Sequence, residues 1–266
     1  MNSVHIGKVF GAAAITVATA LSSAPLASAS VESFCGEIGG GWDGAYCHTT
    51  APSPRKAVRD IKLALPGDLL DNPTTGTVLK DYLRNLMNNW RDAAGKMAAD
   101  SFAEENFQTF QHGPALSTVF HESYHADGPF PANAYRTFTF DMAQGRRLML
   151  ADIMKPGLDP LVTLPPLVHP FLIPALDAAP PGHTPGTYPF VADRWTPDKV
   201  FSGAYRAWAL TPDELILYLP DYPVPRDTPV DYNPQIMQWS MDGGTVQVHV
   251  PLGALAGVLK PEYGGS

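Results

Sequence analysis

Cysteine is scarce in this sequence, with only Cys35 and Cys47 among its 266 residues. Their spacing excludes a CxxC redox motif, and a structural zinc site would need further ligands, of which only His48 lies nearby. Basic residues are also few, and the formal net charge is −8. An acidic surface disfavours nucleic acid and anionic lipid as partners.

Long apolar runs are absent after residue 29, because Pro or a charged residue interrupts every later stretch. The start of the chain has the three parts of a secretory signal, namely Lys8, an apolar segment from Val9 to Leu21, and small residues up to Ala29. That segment is short for a membrane span, which needs about 20 residues. We expect cleavage after Ala29, which would leave residues 30–266 as one secreted domain with no membrane span.

The two cysteines are separated by a Gly-rich segment at the start of the expected mature chain. In an oxidising compartment they are expected to pair, and closing a ring of this size is worth about 3 kcal/mol. Two free thiols are the alternative. Because the pair follows the cleavage point so closely, we expect it to pin an N-terminal loop over residues 30–50 outside the core. Reduction should then leave the domain folded.

Apolar periodicity predicts one long helix from Thr77 to about Ala98. Alternating patterns predict short strands, including an antiparallel meander between residues 102 and 153. The predicted strands cover residues 61–65, 107–110, 116–124, 135–141, 148–153, 204–210, 215–219 and 245–250.

Proline is abundant, at 27 residues, and this predicts irregular connections. Residues 161–172 have helical spacing but contain several prolines, each costing about 3 kcal/mol in a helix interior. We therefore predict a short or broken helix there, followed by a Pro/Gly-rich connection over residues 173–198.

Residues 121–125 read His-Glu-Ser-Tyr-His, a match to the HExxH zinc-hydrolase motif. The motif works only on a helix, where His121 and His125 would share a metal and Glu122 would activate water. Strand-forming residues precede it and a Gly-Pro turn follows it, so we predict a strand and no metal site. Asp141 and Asp152 could be proposed as a third ligand, but acids are common in strands and turns and nothing singles these two out.

Other catalytic signatures are missing. Ser202 does not lie in a G-x-S-x-G elbow, and no phosphate-binding or dinucleotide Gly pattern occurs. Aromatic residues gather in the C-terminal third among Pro-rich loops, a composition that suits either core packing or recognition of a protein or glycan. They are Tyr205, Trp208, Tyr218, Tyr222, Tyr232 and Trp239.

The order of features resembles the mycobacterial secreted immunogenic antigen family, which shares its C-terminal domain with the lysozyme-sensing ectodomain of the anti-sigma factor RsiV. The resemblance depends on Phe34-Cys35 with Cys47, Tyr135-x-x-Phe138-x-x-Asp141, Arg147 to Asp152, Asp159-Pro160-Leu161 with Pro166 and Val168, Ala207 to Thr211, Leu215 to Tyr218, and Val246 to Pro251. The chain departs from the family at Asp213-Glu214, where the family has a Gly in the hairpin turn, and in a longer Pro-rich loop over residues 219–239.

The resemblance implies an α+β fold, with a β-grasp-like, mostly antiparallel sheet packed against one main helix, and no cofactor. Families of this type have no agreed catalytic residues, so the resemblance assigns no catalytic residue to this chain. We therefore expect a secreted, monomeric, non-catalytic binding protein that acts at the cell envelope or a host surface on an extracellular protein or glycan. The alternative is a secreted hydrolase, either zinc-dependent through His121, Glu122 and His125 or a serine esterase.

Overall fold

A computed structural model describes residues 24–125, 131–179, 182–187, 190–220 and 246–266. Residues 1–23 of the predicted signal lie outside these ranges, as do Tyr222, Tyr232 and Trp239. The strands are β1 Gly41–Trp42, β2 Cys47–Pro52, β3 Val58–Leu63, β4 Ser101–His112, β5 Ala115–His125, β6 Pro131–Asp141, β7 Arg146–Leu148, β8 Trp208–Leu210, β9 Glu214–Leu219 and β10 Val246–Pro251. The α-helices are α1 Ala24–Glu37, α2 Gly67–Leu70, α3 Gly76–Ala94, α4 Pro160–Ala178 and α5 Leu252–Leu255.

The first sheet has seven strands, β1 to β7, in chain order. All neighbours are antiparallel except β3 and β4, which are parallel because α3 carries the chain back between them. The predicted meander is confirmed for β4, β5, β6 and β7. Its last strand ends at Leu148, and Leu150–Ile153 form a 3-10 helix where a strand was predicted.

The long predicted helix is confirmed as α3, which lies across the first sheet. Leu79, Leu83 and Met87 on its inner face are fully buried, and they pack against sheet residues that include Ile61 and Phe120. Burial of such a face contributes most of a surface helix's stability.

The Cys35–Cys47 disulfide is confirmed, but its predicted position outside the core was wrong. Both cysteines are fully buried and belong to the core under α3. Cys35 lies on α1, whose Phe34 enters the same core, and Cys47 opens β2. A Cβ on Gly40 would lie 2.5 Å from Cys47 Sγ, so only glycine lets the backbone pass the bridge there. The bridge therefore fastens α1 to the sheet.

The second sheet has three antiparallel strands in the order β10, β9, β8. The predicted hairpin is confirmed, but its first strand covers only Trp208–Leu210, because Val200–Tyr205 form a 3-10 helix where a strand over residues 204–210 was predicted.

The residues of the second sheet alternate between two cores: Leu215 and Leu217 face α4, whereas Ile216 and Tyr218 face the first sheet with Val119. The layers therefore run α3, first sheet, second sheet, α4. An α+β class with a mostly antiparallel sheet is confirmed, but two long helices are present where one main helix was predicted.

The expectation of a broken helix over residues 161–172, and of a Pro/Gly-rich connection beginning at residue 173, was wrong. Helix α4 is continuous over 19 residues, and four prolines lie inside it. A proline removes the donor to the carbonyl four residues earlier, and here every such carbonyl belongs to an exposed residue, where water can replace the lost bond. The affected carbonyls are those of Leu161, Val162, Pro166 and Pro170.

The opposite face of α4 explains its stability. Leu164, Val168, Leu172 and Leu176, four residues apart, are at most 3% exposed and pack on the second sheet. In the described part of the chain, α4 is also the helix that is long and apolar enough to cross a membrane, with a mean hydropathy of 1.4. Its inner face is packed in the core, but only 22% of this apolar stretch is buried, and Leu161, Val162 and Ile173 are exposed.

We predict that replacing both buried cysteines with alanine lowers the free energy of unfolding by about 3 kcal/mol, because the bridge no longer restricts the unfolded chain. Urea unfolding of wild type and the Cys35→Ala/Cys47→Ala variant measures this loss. Equal midpoints would show that the bridge constrains only a local loop.

We also predict opposite effects on the two faces of α4. Pro170→Ala restores an amide donor on the exposed face and should raise the free energy of unfolding by about 1 to 3 kcal/mol. Leu172→Ala opens a cavity against the second sheet and should lower it by about 2 to 5 kcal/mol. Thermal and urea unfolding measure both, and a destabilising Pro170→Ala would contradict the account of the prolines.

Candidate functional site

The HExxH segment forms part of β5, as the sequence context predicts. Successive side chains of a strand point to opposite faces. His121 faces the second sheet and stacks on Tyr135 with ring centroids 4.6 Å apart, whereas Glu122 is buried on the α3 side. His125 stacks on Phe102 of β4, with ring centroids 6.2 Å apart. The Glu and the two His therefore lie on different faces, and the helical arrangement that zinc hydrolysis through this motif needs is not formed.

The two acids named as sources of a third ligand are engaged elsewhere. Asp141 accepts a hydrogen bond from Tyr263 at 2.7 Å, and Asp152 pairs with Arg146 at 3.0 Å. Within the described residues, no group of three or more His, Cys, Asp or Glu side chains could hold a metal ion. The Ser202 hydroxyl is fully buried and donates to the Lys199 carbonyl, so it is not presented to a substrate.

A cavity of about 300 Å³ opens between the two sheets beside His121. It forms where the second sheet no longer covers the first, since three strands lie against a sheet of seven. Strands β4, β5 and β6 supply one wall, and β9 and β10 supply the other. The lining residues are Asn106, Phe107, Gln108, Val119, His121, Tyr135, Tyr218 and Gln247.

Three stacked rings cross this cavity from one sheet to the other. Tyr135 lies between His121 and Tyr218, with centroid distances of 4.6 and 4.9 Å and interplanar angles of 29° and 17°. Gln247 Nε2 donates to the Tyr135 hydroxyl at 3.3 Å. Burial raises the pKa of both phenols, so they remain protonated donors at neutral pH.

The polar groups of the cavity are amides, phenols and one imidazole. Asn106 and Gln108 are exposed and lie two residues apart on β4, so both point to the cavity side. Each amide can donate and accept hydrogen bonds at once. The lining contains no Asp, Glu, Lys or Arg. Flat rings beside uncharged donors and acceptors suit a neutral ligand that is rich in hydroxyl groups.

The N-terminal segment also reaches the cavity. The Tyr46 hydroxyl donates to Asn106 Oδ1 at 2.9 Å, and Asn106 Nδ2 donates to Glu104 Oε1 at 2.9 Å. Tyr46 directly precedes Cys47, so the disulfide holds the backbone from which this hydroxyl extends. These contacts fix the orientation of the Asn106 amide.

Sequence reasoning identified part of this site. It named His121 for a different role, Tyr218 among the C-terminal aromatics and Tyr135 through the family resemblance. It missed Asn106, Gln108 and Gln247. The available signal was the alternation of amides with apolar residues in β4, which marks one polar face of a strand.

Behind the cavity, on the α3 side of the same strands, two carboxyl groups are buried together. Glu105 is fully buried and Glu122 is 5% exposed. The Tyr82 hydroxyl lies 2.6 Å from Glu105 Oε2 and 3.1 Å from Glu122 Oε1, and Arg136 Nε lies 3.2 Å from Glu122. Burial raises the pKa of Glu105 well above its usual range and that of Glu122 to a smaller extent.

Two parts of the chain match known families. Residues 24–61 match the family described as "MVL: Mannan-binding protein". Residues 151–253 match "Protein of unknown function (DUF3298)", a region that contains α4 and the second sheet. No curated protein matches the chain. The comparisons supply no match to the mycobacterial antigen family, so that part of the resemblance stays a prediction.

Two solved structures of DUF3298 family proteins are similar to this chain. The one from Pseudomonas aeruginosa PAO1 has 15% identity and a TM-score of 0.48, and the similarity covers 82% of this chain and 93% of that one. The one from Bacteroides fragilis NCTC 9343 has 13% identity and a TM-score of 0.47, and it covers 82% and 92%. The chain thus combines an N-terminal segment similar to a mannan-binding family with a C-terminal region that matches DUF3298.

Proposed function

We propose that this protein is a secreted, non-catalytic binding protein whose ligand is a neutral glycan held in the cavity between the two sheets. The observation that carries the proposal is the composition of the cavity lining, in which stacked rings lie beside amide and phenol groups and none of the lining residues is an acid, a lysine or an arginine. A sugar offers an apolar ring face and many hydroxyl groups. The cavity offers a matching partner for each.

The match to a mannan-binding family supports mannose-containing polysaccharide as the first ligand to test. That match ends at Ile61 and contains Tyr46, whose hydroxyl bonds to Asn106 at the cavity wall. The matched segment and the cavity are therefore physically connected. The proposal assigns the contact with sugar to the cavity and a positioning role to Tyr46.

Export agrees with such a ligand, since polysaccharides of this kind lie outside the cytoplasm. The expectation of export rests on the N-terminal signal pattern, and the buried disulfide suits an oxidising compartment. The protein would then act at the cell envelope or on a host surface, as a monomer.

Binding of residues 30–266 to mannan, and to a charged polysaccharide as comparison, tests the proposal by isothermal titration calorimetry. We expect measurable affinity for mannan and none for the charged polymer. Gln108→Ala should weaken mannan binding about threefold to tenfold, the value of one or two lost hydrogen bonds.

Gln111→Ala is the matched control, because Gln111 is an exposed amide on the same strand but outside the cavity lining. It should bind like wild type. Absence of binding to any neutral polysaccharide, or equal binding by Gln108→Ala and wild type, would count against the cavity as the site.

A further inference from the structure

The buried carboxyl groups of Glu105 and Glu122 are direct neighbours in the β4–β5 pairing. Like charges placed opposite each other on one sheet face destabilise the pair. Here both groups are also removed from water beneath α3, where an uncompensated charge is costly. A fold with both groups ionised would carry that cost permanently.

The Tyr82 hydroxyl makes two hydrogen bonds, one to each carboxyl group. If both carboxyl groups were ionised, the cluster would have one proton too few for these two bonds. The Tyr82 hydroxyl has one hydrogen but lies within bonding distance of both carboxyl groups, at 2.6 and 3.1 Å. If Glu105 is protonated, it donates to the Tyr82 oxygen, and Tyr82 donates to Glu122. Glu122 then keeps its negative charge beside Arg136.

The second oxygen of Glu105 agrees with this assignment. Glu105 Oε1 is buried and has no hydrogen-bond partner among the described residues. A carbonyl oxygen of a neutral acid tolerates such a position far better than a charged carboxylate oxygen does.

Among the described residues, three arginines also lie on this face. Arg136 from β6 lies at Glu122, and Arg147 from β7 lies over the Phe138 ring at 4.8 Å. Arg59 from β3 donates to the carbonyls of Trp90 and His125. The neighbours of Glu105 itself are the phenol of Tyr82 and the carboxyl group of Glu122.

We propose that the cluster of Glu105, Tyr82 and Glu122 holds one extra proton through neutral pH and clamps α3 to strands β4 and β5, and that loss of this proton in alkaline solution loosens the clamp. The same strands carry Asn106 and His121 of the cavity on their other face. The clamp therefore also regulates ligand affinity, a consequence that rests on the proposed function.

The direction of the pH effect follows from proton linkage. The folded-state pKa of Glu105 is raised, so around neutral pH the folded state holds a proton that the unfolded state has released. Its stabilising contribution is full below the ordinary value of 4.5 and is lost as the pH rises through the folded-state value. The folded-to-unfolded ratio then falls by at most tenfold per pH unit, the limit for one proton.

Urea unfolding between pH 5 and pH 9 tests the clamp without any ligand. The free energy of unfolding of wild type should fall as the pH rises. In Glu105→Gln, whose side chain stays neutral, this fall should be smaller by the contribution of one proton. Glu37→Gln, an exposed residue on α1, is the control for removing one carboxylate and should follow wild type. Identical pH profiles of Glu105→Gln and wild type would overturn the proposal.

A second measurement needs no variant and decides the matter if Glu105→Gln fails to fold. Side-chain carboxyl ¹³C resonances of glutamate in wild type should include one that stays protonated at pH 7. Titration of every glutamate below neutral pH would overturn the proposal.

The effect on the cavity is measured separately. Mannan affinity of wild type should weaken from pH 6 to pH 9, while that of Glu105→Gln stays constant. If neither protein binds mannan at any pH, the proposed function fails, whereas the unfolding and resonance data still decide the clamp. If wild-type affinity is independent of pH while its stability falls, the regulatory consequence is overturned.

Discussion

The alternation of side chains along β4 and β5 is the constraint on which the rest of this structure depends. These strands lie in the middle of the first sheet and have a neighbour on each face. One face must pack against α3, and the other must meet the second sheet. Each residue is therefore committed to one of two environments, and a shift of one position would exchange them.

This commitment places two chemically different sites back to back. Asn106 and His121 face the cavity, while Glu105 and Glu122 lie one residue away along the same strands and face α3. The cavity lining contains no charged residue and is open to solvent, whereas the α3 side is closed and holds two acidic groups. Both sites therefore share the backbone of the same two paired strands.

Much of the fold could be predicted from the sequence wherever one physical pattern dominated. The α3 face and the C-terminal hairpin have clear periodicity, and the strand context of the HExxH segment decided correctly against a helix. That distinction mattered because the strand separates His121 from Glu122. The same residues on a helix would have indicated a metal site.

The errors came where tertiary packing overrides a local rule. A count of prolines predicted a broken α4, but the sequence does not show that each lost hydrogen bond falls on the exposed face. The buried leucines of that helix offset the cost. The disulfide was placed outside the core because Cys35 and Cys47 lie close to the expected cleavage point, although depth in a fold depends on packing and not on distance from a terminus.

The candidate site could be predicted only in part, for a related reason. Its residues come from β4, β5, β6, β9 and β10, which are far apart in the chain, and amides such as Gln108 and Gln247 are common on exposed strands. What makes them a site is the mismatch in size between the two sheets. Three strands cannot cover the face of seven, so the edge of their contact leaves a cavity.

On the proposed function, the residues at that edge must be stable both with and without a ligand, and polar and aromatic side chains meet both requirements. Stacking of Tyr135 on Tyr218 holds the rings in place when the cavity contains only water, and the amides remain solvated there. An apolar lining would instead favour closer contact between the sheets and would close the cavity. The composition that suits a hydroxyl-rich ligand is therefore also the composition that keeps the cavity open.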